Sequence, residues 1–485
     1  MSLRNMTRRS HWLGEALAED DEQAPQLHGI ERADVCIVGG GFTGLWTAIR
    51  LKERDPALDV VIVEKDFCGA GASGRNGGFV LSWWAKFLSL QKICGEAEAL
   101  RLGQASADAV AEIGDFCRQN HIDCHYRRDG WLWAATNEAQ VGAWRSTVDA
   151  IGRFQRSPFE AWSPDDVARR SGSPMHLAGI FEPTAASVQP ALLARGLRRV
   201  ALARGVRIHE QTPLTRLVRS FRPQVVTPTG RVQAETIVLA MNAWGIRFAA
   251  LRQAVVVGTS DIVATAPSPE RLKEIGWGDG MTISDGRMLV HYYRTTRDGR
   301  IAFGKGGFAG PMPFAGRVGA KFDGPSRHPS AIADWLRWTY PILADVPIEA
   351  SWTGPIDRSK SGLPLFGRLD GDPRILYAIG YSGNGVGPSA LGGRILASLA
   401  LGLKDEWSES GLVRPPRRDF PPEPIRAIGA RLVRRAAVAK DRAEDSGRRP
   451  GRLVTYLAGF APAGLSPFKG QKSGLAPPEP AGPDP

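Results

Sequence analysis

Asp34 to Asn76 reads DVCIVGGGFTGLWTAIRLKERDPALDVVIVEKDFCGAGASGRN, and the order of its parts decides the fold. Val35, Ile37 and Val38 form a short apolar, β-branched run of the kind that makes a buried parallel strand. Gly39, Gly41 and Gly44 follow at fingerprint spacing, and a helical pattern begins with Leu45, Ala48 and Ile49 on one face. A second apolar strand, Val60 to Val63, ends in Glu64, twenty residues beyond Gly44. Each part has a physical task. Gly39 permits the tight turn, Gly41 lets a pyrophosphate approach the backbone, and Gly44 lets helix and strand pack closely. The helix start offers free N–H groups and the positive end of its dipole to that pyrophosphate. Glu64 can accept hydrogen bonds from ribose hydroxyls, and its charge argues against a 2′-phosphate. Strand, turn, helix, strand and acid fall in register, which a lone glycine-rich turn would not do.

Directly after the second strand comes GAGASGRNGG, Gly69 to Gly78, a second glycine-rich turn containing Arg75 and Asn76. A nicotinamide has no use for a second loop of this size, whereas the longer FAD runs on past its pyrophosphate to the flavin. On these residues the sequence resembles the FAD-dependent amine and amino-acid oxidase family that includes D-amino-acid, glycine and sarcosine oxidases. The ASGRNGG form is most similar to the γ-glutamylputrescine oxidase-like branch. The resemblance runs from about His11-Trp12-Leu13 to the helix ending near Leu403.

It implies an α/β chain in which a Rossmann-type FAD-binding domain is interleaved with an antiparallel-sheet substrate domain. The expected division is an N-terminal arm at 1–32, then a cofactor domain of 33–84, 175–250 and 345–405. Residues 85–174 and 251–344 make the substrate domain, and 411–485 a basic helical, then disordered, tail. In the first loops the resemblance assigns Gly39, Gly41, Phe42, Thr43 and Gly44, then Glu64, Lys65, Ser73, Arg75, Asn76 and Gly77, to non-covalent FAD. Leu214 follows a TP pair, where the family gives its backbone to the adenine. AMNAW, from Ala240, resembles the family's ATNAW turn. Gly354 and the closing loop residues Gly383, Asn384, Gly385 and Val386 complete the set.

Composition bounds the alternatives. With 43% hydrophobic and 23% charged residues, the 485-residue chain is an ordinary globular protein of two or three domains. Five scattered cysteines, at 36, 68, 94, 117 and 124, form no disulfide framework, which fits a reducing cytoplasm. No run of eighteen apolar residues predicts a membrane span. Thr7-Arg8-Arg9 before His11-Trp12-Leu13 imitates a twin-arginine signal, but the acidic GEALAEDDEQ that follows excludes an export core. Residues 1–30 are expected to lie over the cofactor domain.

Of the net charge of +12, +7 resides from Gly411 onward, where 14 Lys/Arg face 7 Asp/Glu. The body is near neutral and carries no nucleic-acid module. From about Ile425 to Arg442, Ile428, Leu432 and Ala436 alternate with Arg431, Arg434 and Arg435 in a basic amphipathic helix. Two readings stand: a helix docked on the body or a second subunit, or weak contact with an anionic membrane. Beyond Ser466 proline and glycine predict disorder.

Two further motifs are weighed and set aside. Cys117, His121, Cys124 and His125 lie close together, but their spacing fits no zinc pattern, so no metal is expected. GYSGNG, from Gly380, approaches the hydrolase GxSxG elbow, but Asn384 stands in the fifth position and no His follows. Instead the strand Leu376–Ile379, the glycine loop and Pro388 in a first helical turn read as strand, loop and closing helix. In the family this helix points its N-terminus at the flavin edge where reduction places negative charge.

The predicted activity is oxidation of a small amine or amino acid to an imine, with oxygen reduced to peroxide. Such a reaction has no obligatory side-chain base; it needs a desolvated pocket that binds the amine neutral. Candidate walls are Trp83, Trp84, Tyr292, Tyr293 and Trp352, with Arg294 for a substrate carboxylate. Tyr293 is also a catalytic candidate, as is Lys305, with Lys360 a second candidate cation for oxygen activation. Two readings from other classes remain open: a dehydrogenase or demethylase passing electrons to a protein or quinone, and a non-catalytic flavin-binding subunit.

Overall fold

The computed structural model describes residues 9–20, 22–307 and 310–463. The apolar runs pair as parallel strands, because each is buried on both faces and must be covered by other layers. Gly29–Val38 lies at the centre, flanked by Gly230–Leu239 and Ile375–Ile379 on one side and Val60–Val63 and Arg207–His209 on the other. Leu365–Arg368 closes one edge antiparallel. On one face Val35, Ile37, Val60 and Ile62 pack under the helices Phe42–Arg54, Pro190–Ala203 and Val386–Ala400. On the other, Cys36, Val38, Val61 and Val63 meet Ala243, Ile246, Val255 and Val257.

A second, eight-stranded sheet runs Ile348–Ser359, Val255–Thr265, Ile301–Gly306, His291–Thr295, Thr282–Asp285, Trp131–Ala135, Ala178–Glu182 and Glu160–Ala161. Its neighbours are antiparallel except Thr282–Asp285 with Trp131–Ala135. The chain thus forms the mixed α/β fold expected, but two strands sit elsewhere than the sequence groups them. Ala178–Glu182, from the segment 175–250, and Ile348–Ser359, from 345–405, both belong to the second sheet. The latter is twelve residues long and serves both halves, because its end at Arg358 also bridges to Tyr381 beside the parallel sheet. The long helix Glu96–Gln119, from the segment 85–174, packs on Val386–Ala400, and its Phe116 ring meets Trp46 edge-on at 4.8 Å.

Both ends of the described chain dock on this body. Helix His11–Glu19 buries Trp12, whose Nε1 donates to Asn76 O at 3.0 Å, while Ser10 Oγ donates to Gly74 O. Arg9 stacks over Phe67; Thr7 and Arg8 lie outside the described residues. At the other end, helix Ile425–Asp445 turns its acids inward. Asp441 accepts the N–H groups of Met288 and Leu289, and Asp445 pairs with buried Arg287 at 2.7 Å. The tail expected beyond Ser466 lies outside the described residues. No helix among them is long and apolar enough to cross a membrane.

The two helices that begin at glycine loops, Phe42–Arg54 and Val386–Ala400, lie against each other with no room for a side chain. A Cβ on Gly393 would stand 2.7 Å from Trp46 Cβ and 3.0 Å from the Thr47 nitrogen. Gly393→Ala therefore lowers the thermal midpoint, at an overpacking cost of about 1–3 kcal/mol. Gly429→Ala, in a helix with open space around it, leaves the midpoint unchanged or raises it. Thermal unfolding of the pair, read side by side, checks this.

Candidate active site

Between the two sheets lies a cavity of about 700 Å³. Both glycine-loop helices open into it. Phe42–Arg54 starts at Gly41 and Val386–Ala400 at Gly385, and neither N-cap side chain caps the helix. The first four N–H groups of a helix have no partner inside it, so both starts concentrate positive potential on the cavity. Ser73 Oγ takes the Phe42 N–H at 2.9 Å, and Thr43 Oγ1 donates to Tyr381 OH at 2.9 Å, tying one loop to the other. The glycines have different jobs. Gly39 has φ +116°, a conformation other residues avoid, and a Cβ there would strike Ala240 O at 2.5 Å. Gly41 has an ordinary φ of −87°, so what it supplies is empty space.

Glu64 ends its strand at the wall, accepting N–H from Gly40 at 2.8 Å and from Asp66 at 2.9 Å. Burial raises its pKa, opposed by those two donors. Beside it Lys65 Nζ sits 3.7 Å over the Trp244 ring, and Arg247 donates to Leu214 O at 2.6 Å. Further along, the buried Asp357 carboxylate takes the Gly380 N–H and, at 3.0 Å, the Asn242 amide, which fixes the turn into the closing helix. Its own pKa is pushed up to about 7 by burial. Asn384 donates to Ser82 O, while its Oδ1 is buried and without a partner among the described residues.

A different part of the wall comes from the second sheet. Tyr292 OH meets Ser260 Oγ at 2.6 Å, and its ring stands edge-on to Phe79. Arg358 lines the same cavity, and its side chain has no hydrogen bond or ion pair with any described residue. Among the described residues, the one hydrogen-bond partner of Lys86 Nζ is the Gly362 carbonyl, at 2.5 Å. Burial, and then Arg358, bring the Lys86 pKa down to about 7. Two cations without a carboxylate partner among the described residues thus face one apolar-walled space.

Gly39, Gly41, Phe42, Thr43, Glu64, Lys65 and the closing-loop residues assigned from sequence reach the cavity, as do Ser73, Arg75, Asn76, Gly77, Leu214 and Gly354. Gly44 alone of the assigned cofactor residues does not. A Cβ on it would lie 2.0 Å from Gly39 O, which is the close-packing role read from the sequence.

The substrate assignments fare differently. Tyr292 is in place, but Tyr293 is its strand neighbour and must point to the opposite face. There it is buried, its hydroxyl 2.5 Å from His176 Nε2. Lys305 faces away for the same reason. Gly306 lines the cavity, while Lys305 reaches back to His291 Nε2 at 2.5 Å, in the buried group with Asp285. Arg294 is consumed by the carbonyls of Gly77, Val188 and Thr295, and Trp352 Nε1 by Arg75 O at 2.9 Å. Both therefore brace the second glycine loop instead of touching the cavity. Trp83 and Trp84 are core, and Lys360 is exposed.

Sequence reasoning missed Arg358, Lys86, Trp244 and Arg247. Trp244 closes the AMNAW turn, and only the family likeness of that turn marks it. Strand parity from Gly354 would have put Arg358 on the same face.

Two motifs set aside can be placed. The thiols of Cys117 and Cys124 touch at 3.6 Å in the core, while His121 is exposed. Among the described residues no group of three or more His, Cys, Asp or Glu is arranged to hold a metal. Ser382 does have a positive φ of 59°, but its hydroxyl donates to Gly380 O, and no His among the described residues lines the cavity.

A family model described as FAD dependent oxidoreductase matches residues 34–399. The chain belongs to this family. It is an FAD-dependent oxidoreductase of the amine and amino-acid oxidase type. A probable oxidoreductase of Haemophilus influenzae is 29% identical over 397 residues, 80% of this chain and 87% of the relative. Gamma-glutamylputrescine oxidoreductase of Escherichia coli is 29% identical over 373 residues, 76% and 84% of the two chains. In fold, the chain is similar to glycine oxidase from Geobacillus kaustophilus, with a TM-score of 0.62 over 79% of this chain and 99% of that one, at 23% identity.

The cavity suits the cofactor this family uses: two helix starts at glycines, an acid at the strand end, a buried amide oxygen without a partner among the described residues, and a glycine at the first helix start. A Cβ on Gly41 would meet Ser73 Oγ at 2.9 Å. In Gly41→Val the larger side chain projects into that space, and flavin per protein falls to about a tenth or less while the fold persists. Absorbance of the purified protein, with circular dichroism as the control, checks it; full flavin content would remove this loop from the cofactor site.

Proposed function

We propose that the enzyme oxidises a small amine bearing a carboxylate, an amino acid or a γ-glutamyl-type amine, to an imine that water hydrolyses, with oxygen as electron acceptor. The observation that carries the reading is the pair Arg358 and Lys86. They are cations without carboxylate partners among the described residues, on the wall of the cavity into which both glycine-loop helices open. Bound FAD supplies the two-electron acceptor, held without a covalent bond by the loops Gly39–Gly44, Ser73–Gly77 and Gly383–Val386. That no Cys or His among the described residues lines the cavity supports the non-covalent part of the proposal.

The chain's own residues bind, orient and desolvate. Arg358 presents a planar fork suited to bidentate contact with a carboxylate. Lys86 adds a second charge whose protonation depends on pH. Phe79, Leu81, Val290 and Ile356 are apolar walls that disfavour an ammonium and so favour the neutral amine. Tyr292, held by Ser260, fixes one side of the space. At the closing helix the uncapped N–H groups after Gly385 stabilise negative charge that develops beside them. Arg358 thus takes the role expected of Arg294.

Two tests follow from this arrangement. A panel of amines is scored by anaerobic bleaching of the flavin and then by peroxide in air. Carboxylate-bearing amines bleach the wild type and yield peroxide, and Arg358→Met raises their KM roughly ten- to a hundredfold. Amines lacking a carboxylate change little in that variant. Bleaching without peroxide assigns another electron acceptor, and bleaching by 2-hydroxy acids alone ends the amine reading.

The second test uses pH. Lys86 is charged below about 7 and neutral above it, so a simple carboxylate competitor binds best on the acid side. Its Kd rises as pH passes through about 7 and then levels, and Lys86→Met flattens that profile. A profile unchanged in Lys86→Met shows that the lysine does not face the bound anion.

A further inference from the structure

The C-terminal helices Ile425–Asp445 and Arg452–Ala458 lie outside the matched family region and play no part in the cavity. Their sidedness is unusual. Thirteen large hydrophobic side chains are exposed among the described residues, and six belong to residues 425–460: Ile425, Ile428, Leu432, Leu453, Tyr456 and Phe460. A concentration of this kind marks a contact surface, whereas single exposed apolar residues need no explanation. Ile425, Ile428 and Leu432 follow helical spacing along the first helix. Leu453, Tyr456 and Phe460 do so along and just past the second, exposed by 69, 66 and 59%.

The charges are sorted as sharply. The acids of the first helix are all engaged: Asp441 with Met288 and Leu289, Asp445 with Arg287, and Glu444 with Lys440. Six arginines on the same stretch, at 431, 435, 442, 448, 449 and 452, are exposed and have no carboxylate partner among the described residues. The acid side is turned to the body, and the arginine and apolar side to solvent.

We propose that this face docks the enzyme on the surface of an anionic lipid bilayer, with the apolar side chains entering the headgroup boundary and the arginines meeting lipid phosphates. Arginine rimming bulky apolar side chains is the pattern of an interfacial helix. A second copy of the chain is a poor occupant, because a two-fold contact sets a patch against itself and would bring arginine against arginine. Nucleic acid would answer the charge and leave Leu453, Tyr456 and Phe460 in water.

The test is flotation of the flavin-loaded full chain with vesicles of phosphatidylglycerol and phosphatidylcholine, or of phosphatidylcholine alone. The full chain floats with the anionic vesicles at about 0.05 M salt, floats poorly at about 0.5 M, and does not float with the neutral ones. Reversing three charges, in Arg448→Glu, Arg449→Glu and Arg452→Glu combined, weakens binding roughly a hundredfold. Leu453→Ser, Tyr456→Ser and Phe460→Ser combined also release it, with flavin content and turnover in solution unchanged in both variants.

Absence of flotation at low salt overturns the proposal. So does flotation that survives the apolar triple, which would leave a general polyanion site equally served by RNA. Self-association in sedimentation velocity that the apolar triple abolishes, without vesicle binding, gives the face to a second copy. Flotation only by a chain ending at Ala463 gives it to residues 464–485.

Discussion

Two bundles of backbone dipoles point into one space, and the rest of the molecule is arranged to permit it. A helix start can stabilise an anion only within about its first turn. The starts at Gly41 and Gly385 must therefore lie close together, although more than three hundred residues separate them in the chain. Their axes can approach only where side chains are missing, which accounts for Gly393 against Trp46 and Thr47. Thr43 and Tyr381 then join the two loops directly. Among the described residues, a cavity so rich in positive potential carries no carboxylate beyond Glu64 and Asp357, and both of those are occupied by backbone or amide donors.

The second sheet supplies what the helices cannot. Ile348–Ser359 begins as a long partner of Val255–Thr265 and ends beside Tyr381, so Gly354 to Arg358 lie within reach of both halves. This strand carries Asp357, which sets the turn into the closing helix, and Arg358, which faces the cavity. Structural bracing and ligand contact thus alternate along a few residues. Arg294 and Trp352 show the same division, since Trp352 donates to the backbone of the second glycine loop and Arg294 to that loop and to the carbonyls of Val188 and Thr295.

The cofactor half was legible in the sequence because its chemistry is local. Gly39, Gly41, Gly44 and Glu64 act through the turn and strand in which they stand, and the spacing alone reports them. The substrate half was not, because there the deciding quantity is which face of a pleat a residue occupies. Tyr292 and Tyr293 look equivalent in sequence and lie on opposite sides of one strand. Lys305 stands between glycines and faces away from the cavity. Arg358, on the cavity wall, differs from Arg294 in having no carbonyl to serve among the described residues, and that is a tertiary fact. The same applies to Ile348–Ser359, whose length in two contexts could not be read from its composition.

The order of strands in the parallel sheet has a consequence for how the chain acquires its structure. The central strand, Gly29–Val38, pairs along nearly its whole length with Gly230–Leu239, and that strand pairs in turn with Ile375–Ile379. During synthesis Gly29–Val38 can pair early with Val60–Val63, but its other edge waits for Gly230–Leu239, about halfway along the chain, and that strand waits in turn for Ile375–Ile379. Folds dominated by such distant pairings collapse slowly and leave sticky edges exposed while they do. The sheet that positions the cofactor loops is therefore among the last parts of the nascent chain to close, and recovery of the folded protein is expected to depend on how quickly the ribosome and the temperature allow that closure.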